Sequence, residues 1–276
     1  MQYLPWKCAG FLVLSALILL LCILPKRESY ETELAKYRKS LYYKSTRNNY
    51  NRVAYDPGLY GEYQITCLLE DCAQNAKFLH NLYIPYGDKT TEIDILMIHP
   101  VGIFVIESKN FRGKVIGDVT EKVWTQCINS HRETLYNPLK QNNTHVYALQ
   151  QHLGKNINYH PIVVFGNQCK LRISGKKNNV VLQQKQLLRE VRCIMKYGYT
   201  QMTKTKVNEI YKQLKPYTQV SDDEKAEHAI GIEKSMCCCP VCKTKFQSFT
   251  ESLHRGAKFE VICPECHTRI TMRKED

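Results

Sequence analysis

Residues 91–110, T-E-I-D-I-L-M-I-H-P-V-G-I-F-V-I-E-S-K-N, are the most informative part of the sequence about the fold. Residues 93–98 are apolar apart from Asp94, and residues 103–106 are a β-branched and aromatic run. The sequence H-P-V-G between them, residues 99–102, is a turn signal. The pattern therefore predicts two buried strands joined by a tight turn.

Three ionisable residues interrupt this apolar hairpin: Asp94, Glu107 and Lys109. Glu107 and Lys109 are two apart, so on a strand they project from the same face, which Asp94 can reach from a neighbouring strand. Buried charges are costly unless they are paired or bind a metal. The alternative is a surface ion pair on an edge strand with Asp94 in a turn, but the apolar flanks favour a site for a hard divalent cation beside a phosphate.

Residues 93–110 resemble the nuclease-related domain (NERD) family of the PD-(D/E)XK nuclease superfamily. That family shows the pattern I-D-h-h-h-h-x-P-x-G-h-F-V-I-E-x-K-N, where h is hydrophobic, and this sequence matches it throughout. The resemblance implies a restriction-endonuclease-like fold and catalytic roles for Asp94, Glu107 and Lys109. It also implies that Asp94 and Glu107 bind Mg²⁺ or Mn²⁺. The similarity covers roughly residues 57–170.

The same resemblance points to two further catalytic candidates, Glu62 and Gln141. Glu62 lies in the Gly-Glu pair of the first helix, and Gln141 ends an N-P-x-x-Q motif that follows a loop tryptophan, Trp124. The alternatives are an exposed glutamate in a first turn, favoured there by the helix dipole, and a solvent-facing glutamine near a helix start. His131 and His145 are interpreted as ordinary polar residues, because nothing in the sequence pairs them.

The fold class predicted from the whole pattern is α/β, a mixed sheet with helices on both faces. Further strands are predicted at residues 77–84, 113–118 and 159–166, and helices at residues 59–72, 182–197 and 203–214. A transmembrane helix at the N-terminus and a small zinc ribbon at the C-terminus are predicted in addition.

The charge of the chain points to an anionic partner. The formal net charge is +13 and the isoelectric point is about 9.1, so a nucleic acid, with DNA preferred, is expected. Basic residues concentrate in residues 26–52 and 234–274, each with eight Lys or Arg against three Glu. Two solvated basic segments are the alternative to a membrane-facing patch and a nucleic-acid patch.

Residues 8–24 form an uncharged, apolar run of seventeen residues, which is near the lower limit of about 17 for a membrane span. Basic residues follow this run, whereas only Lys7 precedes it, so the positive-inside rule places the body in the cytoplasm. A cleaved signal peptide is disfavoured because no small-x-small site precedes Pro25. The expectation is a single-pass protein of the inner (cytoplasmic) membrane.

The last part of the chain carries two C-P-x-C knuckles, residues 239–242 and 263–266. Cys239, Cys242, Cys263 and Cys266 match the tetrahedral thiolate site of a zinc ribbon. A module of some forty residues builds little core, so Zn²⁺ must supply much of its folding energy.

The predicted domains are a transmembrane anchor at 1–25, a basic juxtamembrane spacer at 26–56, the nuclease-like domain at 57–216, a linker at 217–235 and the zinc ribbon at 236–276. The predicted function is a membrane-anchored, metal-dependent endonuclease that hydrolyses phosphodiester bonds of DNA. The rivals are a catalytically silent nucleic-acid tether and a membrane-bound protein-interaction scaffold. Homo-oligomers are left open.

Overall fold

The structure, a computed structural model, describes residues 29–87, 89–175, 180–199, 201–220, 236–242, 245–247, 258–263 and 265–273. The chain divides into two compact units, residues 1–39 and 40–276. The described part of the first unit is helix α1, Tyr30–Lys39. Ser29 precedes this helix, and its hydroxyl accepts the Thr32 backbone N–H at 3.3 Å.

The second unit contains the remaining elements. Its described helices are α2 Leu41–Thr46, α3 Tyr50–Tyr55, α4 Pro57–Leu69, α5 Pro138–Leu153, α6 Gln184–Tyr197 and α7 Lys204–Leu214, with 3₁₀ helices at Glu70–Asn75 and Lys215–Thr218. Its described strands are β1 Lys77–Tyr86, β2 Lys89–His99, β3 Gly102–Lys109, β4 Gly113–Asp118, β5 Val123–Ile128, β6 His131–Tyr136, β7 Tyr159–Phe165, β8 Cys169–Ser174, β9 Val180–Gln183, β10 Met236–Cys238, β11 Lys245–Gln247, β12 Lys258–Ile262 and β13 Arg269–Arg273.

A five-stranded mixed sheet in the order β1-β2-β3-β7-β9 organises this unit. The pairs β1–β2 and β2–β3 are antiparallel, and β3–β7 and β7–β9 are parallel. Apolar residues of α4 and α6 cover one face, and apolar residues of α5 and α7 cover the other. Burial on both faces explains the near-continuous apolar runs of β2 and β3. The predicted mixed sheet flanked by helices is confirmed.

The predicted turn between the two central strands is present, and Gly102 explains it. The β2–β3 ladder closes at the pair His99 and Gly102. Gly102 has φ of +146°, and a Cβ atom there would lie 2.5 Å from the carbonyl oxygen of Asn158. Only glycine accepts both the conformation and this close approach.

A second sheet, in the order β6-β5-β4-β8, was not foreseen. Trp124, expected in a loop, lies in β5 and is fully buried. Its ring stacks at 6.4 Å from that of Phe165 in the main sheet, and its Nε1 donates to Asp118 O at 2.8 Å. The tryptophan therefore belongs to the packing between the two sheets.

Two small antiparallel hairpins, β10–β11 and β12–β13, form the described C-terminal part.

Helices α2 and α3 fall in the range predicted as a spacer, where Tyr42 and Val53 are fully buried. The predicted domain boundaries themselves stay predictions.

The predicted location requires a correction. Within the residues described here, no helix is both long and apolar enough to cross a lipid bilayer. On this finding the prediction of a single-pass protein of the inner membrane is wrong, and it is not carried further. The segment on which that prediction depended, residues 8–24, lies outside the described residues.

Candidate functional site

The acidic cluster, defined as Glu62, Asp94 and Glu107 together with Lys109, lies where β2 and β3 separate. The last pair of their ladder at this end is Ile95 with Ile106, so Asp94 and Glu107 come next on the two strands. In place of another ladder bond, Asp94 Oδ2 accepts the backbone N–H of Ser108 at 2.7 Å. The strand ends thus fix the first carboxylate beside the second.

An irregularity in β1 lies opposite Asp94. The β1–β2 register skips Asn81 and Asp94, although residues on either side are paired. Asn81 has φ of +50°, a conformation that asparagine tolerates better than most residues. His80 contacts Thr66 of α4 at 2.9 Å, whereas Leu82 packs in the core on the other face. The strand therefore changes face at Asn81, which frees its amide for the acidic cluster.

Glu62 joins the cluster because its neighbour is glycine. A Cβ atom at Gly61 would lie 2.9 Å from Asn110 Cβ and 3.0 Å from Ser108 Oγ. The absent side chain lets α4 approach the end of β3 closely. In the Gly-Glu pair, the glycine thus allows the close approach of α4 and the glutamate supplies the carboxylate.

The Glu62 side chain is held by two donors. Tyr42 OH donates to Glu62 Oε2 at 3.1 Å, and Asn81 Nδ2 donates to the same oxygen at 3.2 Å. Glu62 is only 7% exposed. Burial raises its pKa to about 7 despite these two hydrogen bonds, which lower it, and the charges of Glu92 and Asp56 raise it further.

Glu107 is the most constrained carboxylate. It is 1% exposed, its Oε1 lies 2.5 Å from Lys109 Nζ, and its Oε2 lies 3.0 Å from His145 Nε2. Burial favours the neutral acid, but Lys109 and His145 outweigh burial and lower the pKa of Glu107 to about 2. This carboxylate is therefore ionised in the folded chain.

The pKa of Asp94 shifts in the opposite direction from that of Glu107. Burial, and then the charges of Glu107 and Glu62, raise its pKa well above the usual value. For Lys109, burial disfavours the ammonium, but Glu107 and Asp94 outweigh it and raise the pKa above 10.5. The arrangement crowds three carboxylates around one ammonium, so the ionised forms of Asp94 and Glu62 are disfavoured, and a bound cation would favour them.

His145 corrects one interpretation of the sequence. It was expected to have no partner, yet it is 2% exposed and contacts Glu107 and, through Nδ1, Thr91 Oγ1 at 2.7 Å. His131, by contrast, is exposed on β6 beside Glu133. Helical spacing could have predicted the burial of His145, because it lies four residues before the buried Leu149 on α5, but not its contact with Glu107.

Gln141 is half-buried, one turn before His145 on α5. Among the contacts of the described residues, none joins its side chain to the acidic cluster, so its predicted role stays a prediction. The neighbouring motif residue Asn137 is structural, because it caps α5 and its amide donates to Glu121 O at 2.7 Å and to Val119 O at 3.2 Å. Buried Asn142 donates to Val105 O at 3.0 Å.

The cysteine cluster, defined as Cys239, Cys242, Cys263 and Cys266, forms the second candidate site. Its four sulfur atoms lie within 4.8 Å of one another, with Cys239 to Cys266 at 3.6 Å and Cys242 to Cys263 at 3.5 Å. A disulfide would require about 2.05 Å. Tetrahedral zinc with Zn–S bonds of about 2.3 Å places sulfur atoms about 3.8 Å apart, so these four residues could hold a metal ion.

Comparison with known proteins bears on the first site. The family model of the nuclease-related domain matches residues 57–166. An uncharacterised protein of Bacillus anthracis is 33% identical over 138 residues, which cover 48% of this chain and 63% of that relative. The chain thus spans less than two thirds of the curated relative. No solved structure matches.

The family model places a nuclease-related domain at residues 57–166. All of the acidic cluster lies inside this range. Tyr42 lies outside it, although its hydroxyl contacts Glu62. The cysteine cluster also lies outside it.

Proposed function

We propose that this chain is a divalent-metal-dependent nuclease that hydrolyses phosphodiester bonds of DNA. The observation that supports this most directly is the convergence of Asp94, Glu107 and Lys109 at the parting of β2 and β3, inside the matched domain. A buried carboxylate pair with one ammonium is a poor structural device, because burial of charges is costly. It is a suitable device for binding a cation and a phosphate together.

The residues present fit a hard divalent cation. Carboxylate oxygens are the ligands that Mg²⁺ and Mn²⁺ prefer. The charges of Glu107 and Glu62 raise the pKa of Asp94, and a divalent cation would remove this repulsion. Asp94 and Glu107 would hold the ion, and Glu62 would add a third carboxylate.

The bound ion would polarise the scissile phosphate and lower the pKa of an attacking water. Lys109 keeps its proton, since Glu107 and Asp94 raise its pKa, so its ammonium stabilises negative charge rather than accepting a proton. Its donors can also orient the attacking water. Asn81 and Tyr42 hold Glu62 in place.

The net charge of +13 suits a polyanionic substrate, since contacts between basic side chains and phosphates dominate nucleic-acid affinity. Such contacts position the backbone without reading the base sequence. For the cysteine cluster we propose one structural Zn²⁺, because four thiolates leave no coordination position for water.

The decisive experiment is cleavage of DNA with EDTA, Mg²⁺ or Mn²⁺, comparing the protein with Lys109→Ala. Exposed Lys212→Ala on α7 is the matched control. We expect cation-dependent cleavage that Lys109→Ala abolishes and Lys212→Ala retains. Retention of DNA without cleavage, under any cation, would instead identify the silent tether.

A further inference from the structure

A chain of three buried polar groups runs from β2 through α5 to the acidic cluster. Thr91 Oγ1 lies 2.7 Å from His145 Nδ1, and His145 Nε2 lies 3.0 Å from Glu107 Oε2. Thr91 is 9% exposed and the other two are less exposed. Each ring nitrogen of His145 therefore has one partner inside the protein.

The partners determine which nitrogen carries hydrogen. An ionised carboxylate can only accept hydrogen bonds, so the Glu107 contact requires a hydrogen on Nε2. In the neutral ring Nδ1 is then an acceptor, and the Thr91 hydroxyl donates to it. The two contacts together fix both the tautomer and the orientation of the imidazole.

The same series of hydrogen bonds immobilises Glu107. Its Oε2 faces His145, and its Oε1 faces Lys109 at 2.5 Å. A carboxylate with a partner on each oxygen cannot rotate without losing one of them. A packing role alone would not explain this arrangement, because an apolar side chain of similar size would fill the same space beside Leu149.

We propose that His145 is a positioning residue for Glu107, with Thr91 fixing its ring, so that the carboxylate is set in advance for a divalent cation. This inference rests on the proposed function, in which Glu107 is a cation ligand. His145 acts through Glu107 and need not touch the substrate. Partners of metal ligands typically change metal affinity by about 10–100-fold when they are removed.

Three substitutions at one position separate positioning from packing. Glutamine can place an amide donor near the position of His145 Nε2, facing Glu107. Asparagine places its amide near the position of Nδ1, facing Thr91 and short of Glu107. Leucine fills the space and donates nothing. His, Gln and Leu therefore differ in the hydrogen bond to Glu107 at similar packing volume, and the shorter Asn tests the position of the donor.

The first readout is Mn²⁺ affinity without nucleic acid, measured by calorimetric titration of the full chain. We expect His145→Leu and His145→Asn to weaken Mn²⁺ binding about 10–100-fold, and His145→Gln to stay within about fivefold of the unaltered protein. In cleavage assays kcat should follow the same order, and KM for DNA should stay unchanged. Equal affinity in all four proteins, or a Gln variant no better than Leu at equal Tm, would overturn the proposal.

A second readout is independent of cation and substrate. In nitrogen-15 spectra of the histidine rings, His145 should carry its hydrogen on Nε2, and Thr91→Val should reduce this preference. A hydrogen confined to Nδ1 would overturn the proposal even if the position 145 variants fail to fold. If the unaltered protein neither binds Mn²⁺ nor cleaves DNA, the proposed function fails. The ring assignment can then still succeed or fail on its own spectra.

Discussion

The acidic cluster and the cysteine cluster, the two proposed metal sites, are built in different ways. The first draws its residues from α4, β2 and β3, on a sheet with an apolar core against each face. The second draws its residues from two four-residue knuckles, and among the described residues its apolar cluster contains only the four cysteines and the partly buried Ile270. Cores, not the metal, should hold the first site together, whereas the metal should hold the second.

The largest expected effect is on the cysteine cluster. Cys263→Ser, or strong chelation, should reduce zinc from one ion per chain to near zero and unfold the hairpins of residues 236–273. Structural zinc sites contribute about 10 kcal/mol or more of binding free energy to folding. Metal analysis and limited proteolysis measure both outcomes. The unfolding transition of residues 57–166 should not change.

Exposed Cys193→Ser on α6 is the matched control for this change. It removes one thiol and should leave the zinc content and the protease pattern unaltered. Hairpins that stay protease-resistant without metal would contradict the distinction between the two sites.

The sequence predicted much of the scaffold because its signals are local. The apolar runs of β2 and β3 and the turn at Gly102 are determined by residues next to one another in the chain. The second sheet was missed because β6 is polar and largely exposed, so no apolar run indicates it. Its packing depends on Trp124, and a single tryptophan in a polar stretch of sequence does not indicate that role.

The acidic cluster was predicted only in part, for a similar reason. Asp94, Glu107 and Lys109 lie within one motif, and Glu62 followed from the family resemblance. His145, Tyr42 and Asn81 reach the cluster through contacts between residues far apart in sequence. Spacing along one element carries no information about such contacts, and the left-handed conformation of Asn81 has no sequence signature of its own.

The next largest effect compares two carboxylates within the acidic cluster. Glu107→Gln should lower the free energy of unfolding by about 3 kcal/mol, because it removes one partner of a buried ion pair. Asp94→Asn should raise it, because burial and like charges disfavour the aspartate ion. Cleavage should fall about 1,000-fold in both, or about 4 kcal/mol in barrier height.

Urea unfolding and cleavage rates on the same samples separate stability from activity. Exposed Glu133→Gln on β6 is the control and should change stability by no more than about 0.5 kcal/mol. If Asp94→Asn were as destabilising as Glu107→Gln, the assignment of repulsion to Asp94 would be wrong.

A third effect is the pH dependence contributed by Glu62. Its pKa is raised from 4.5 to about 7 in the folded chain, so the folded state holds a proton that the unfolded state releases. The contribution of Glu62 to stability should therefore be greatest below pH 4.5, fall by about 3 kcal/mol as pH rises to 7, and level off above it. Glu62→Gln should remove this fall.

Urea titrations between pH 4 and pH 8 measure this dependence. Added Mn²⁺ should restore stability more at pH 8 than at pH 5, because the cation binds the ionised carboxylates. A dependence unchanged by Glu62→Gln would assign the fall to other groups.

The smallest expected effect tests whether the acidic cluster extends beyond the matched domain. Tyr42 lies outside residues 57–166, yet its hydroxyl donates to Glu62 and its ring packs edge-on against His80 at 5.1 Å between centroids. Tyr42→Phe keeps the ring and removes only the hydroxyl. The loss of one of two donors to a buried carboxylate should cost about 1 kcal/mol. Because the Tyr42 hydrogen bond lowers the pKa of Glu62, its removal should also move the midpoint of the pH-dependent fall upward.

Exposed Tyr55→Phe on α3 is the control and should change neither the stability nor this midpoint. If Tyr42→Phe matched that control, α2 would be a neighbour of the acidic cluster rather than a part of it. If it behaves as expected, the site needs residues that the family match does not cover, and a chain shortened to residue 57 would lack one of the two donors that hold Glu62.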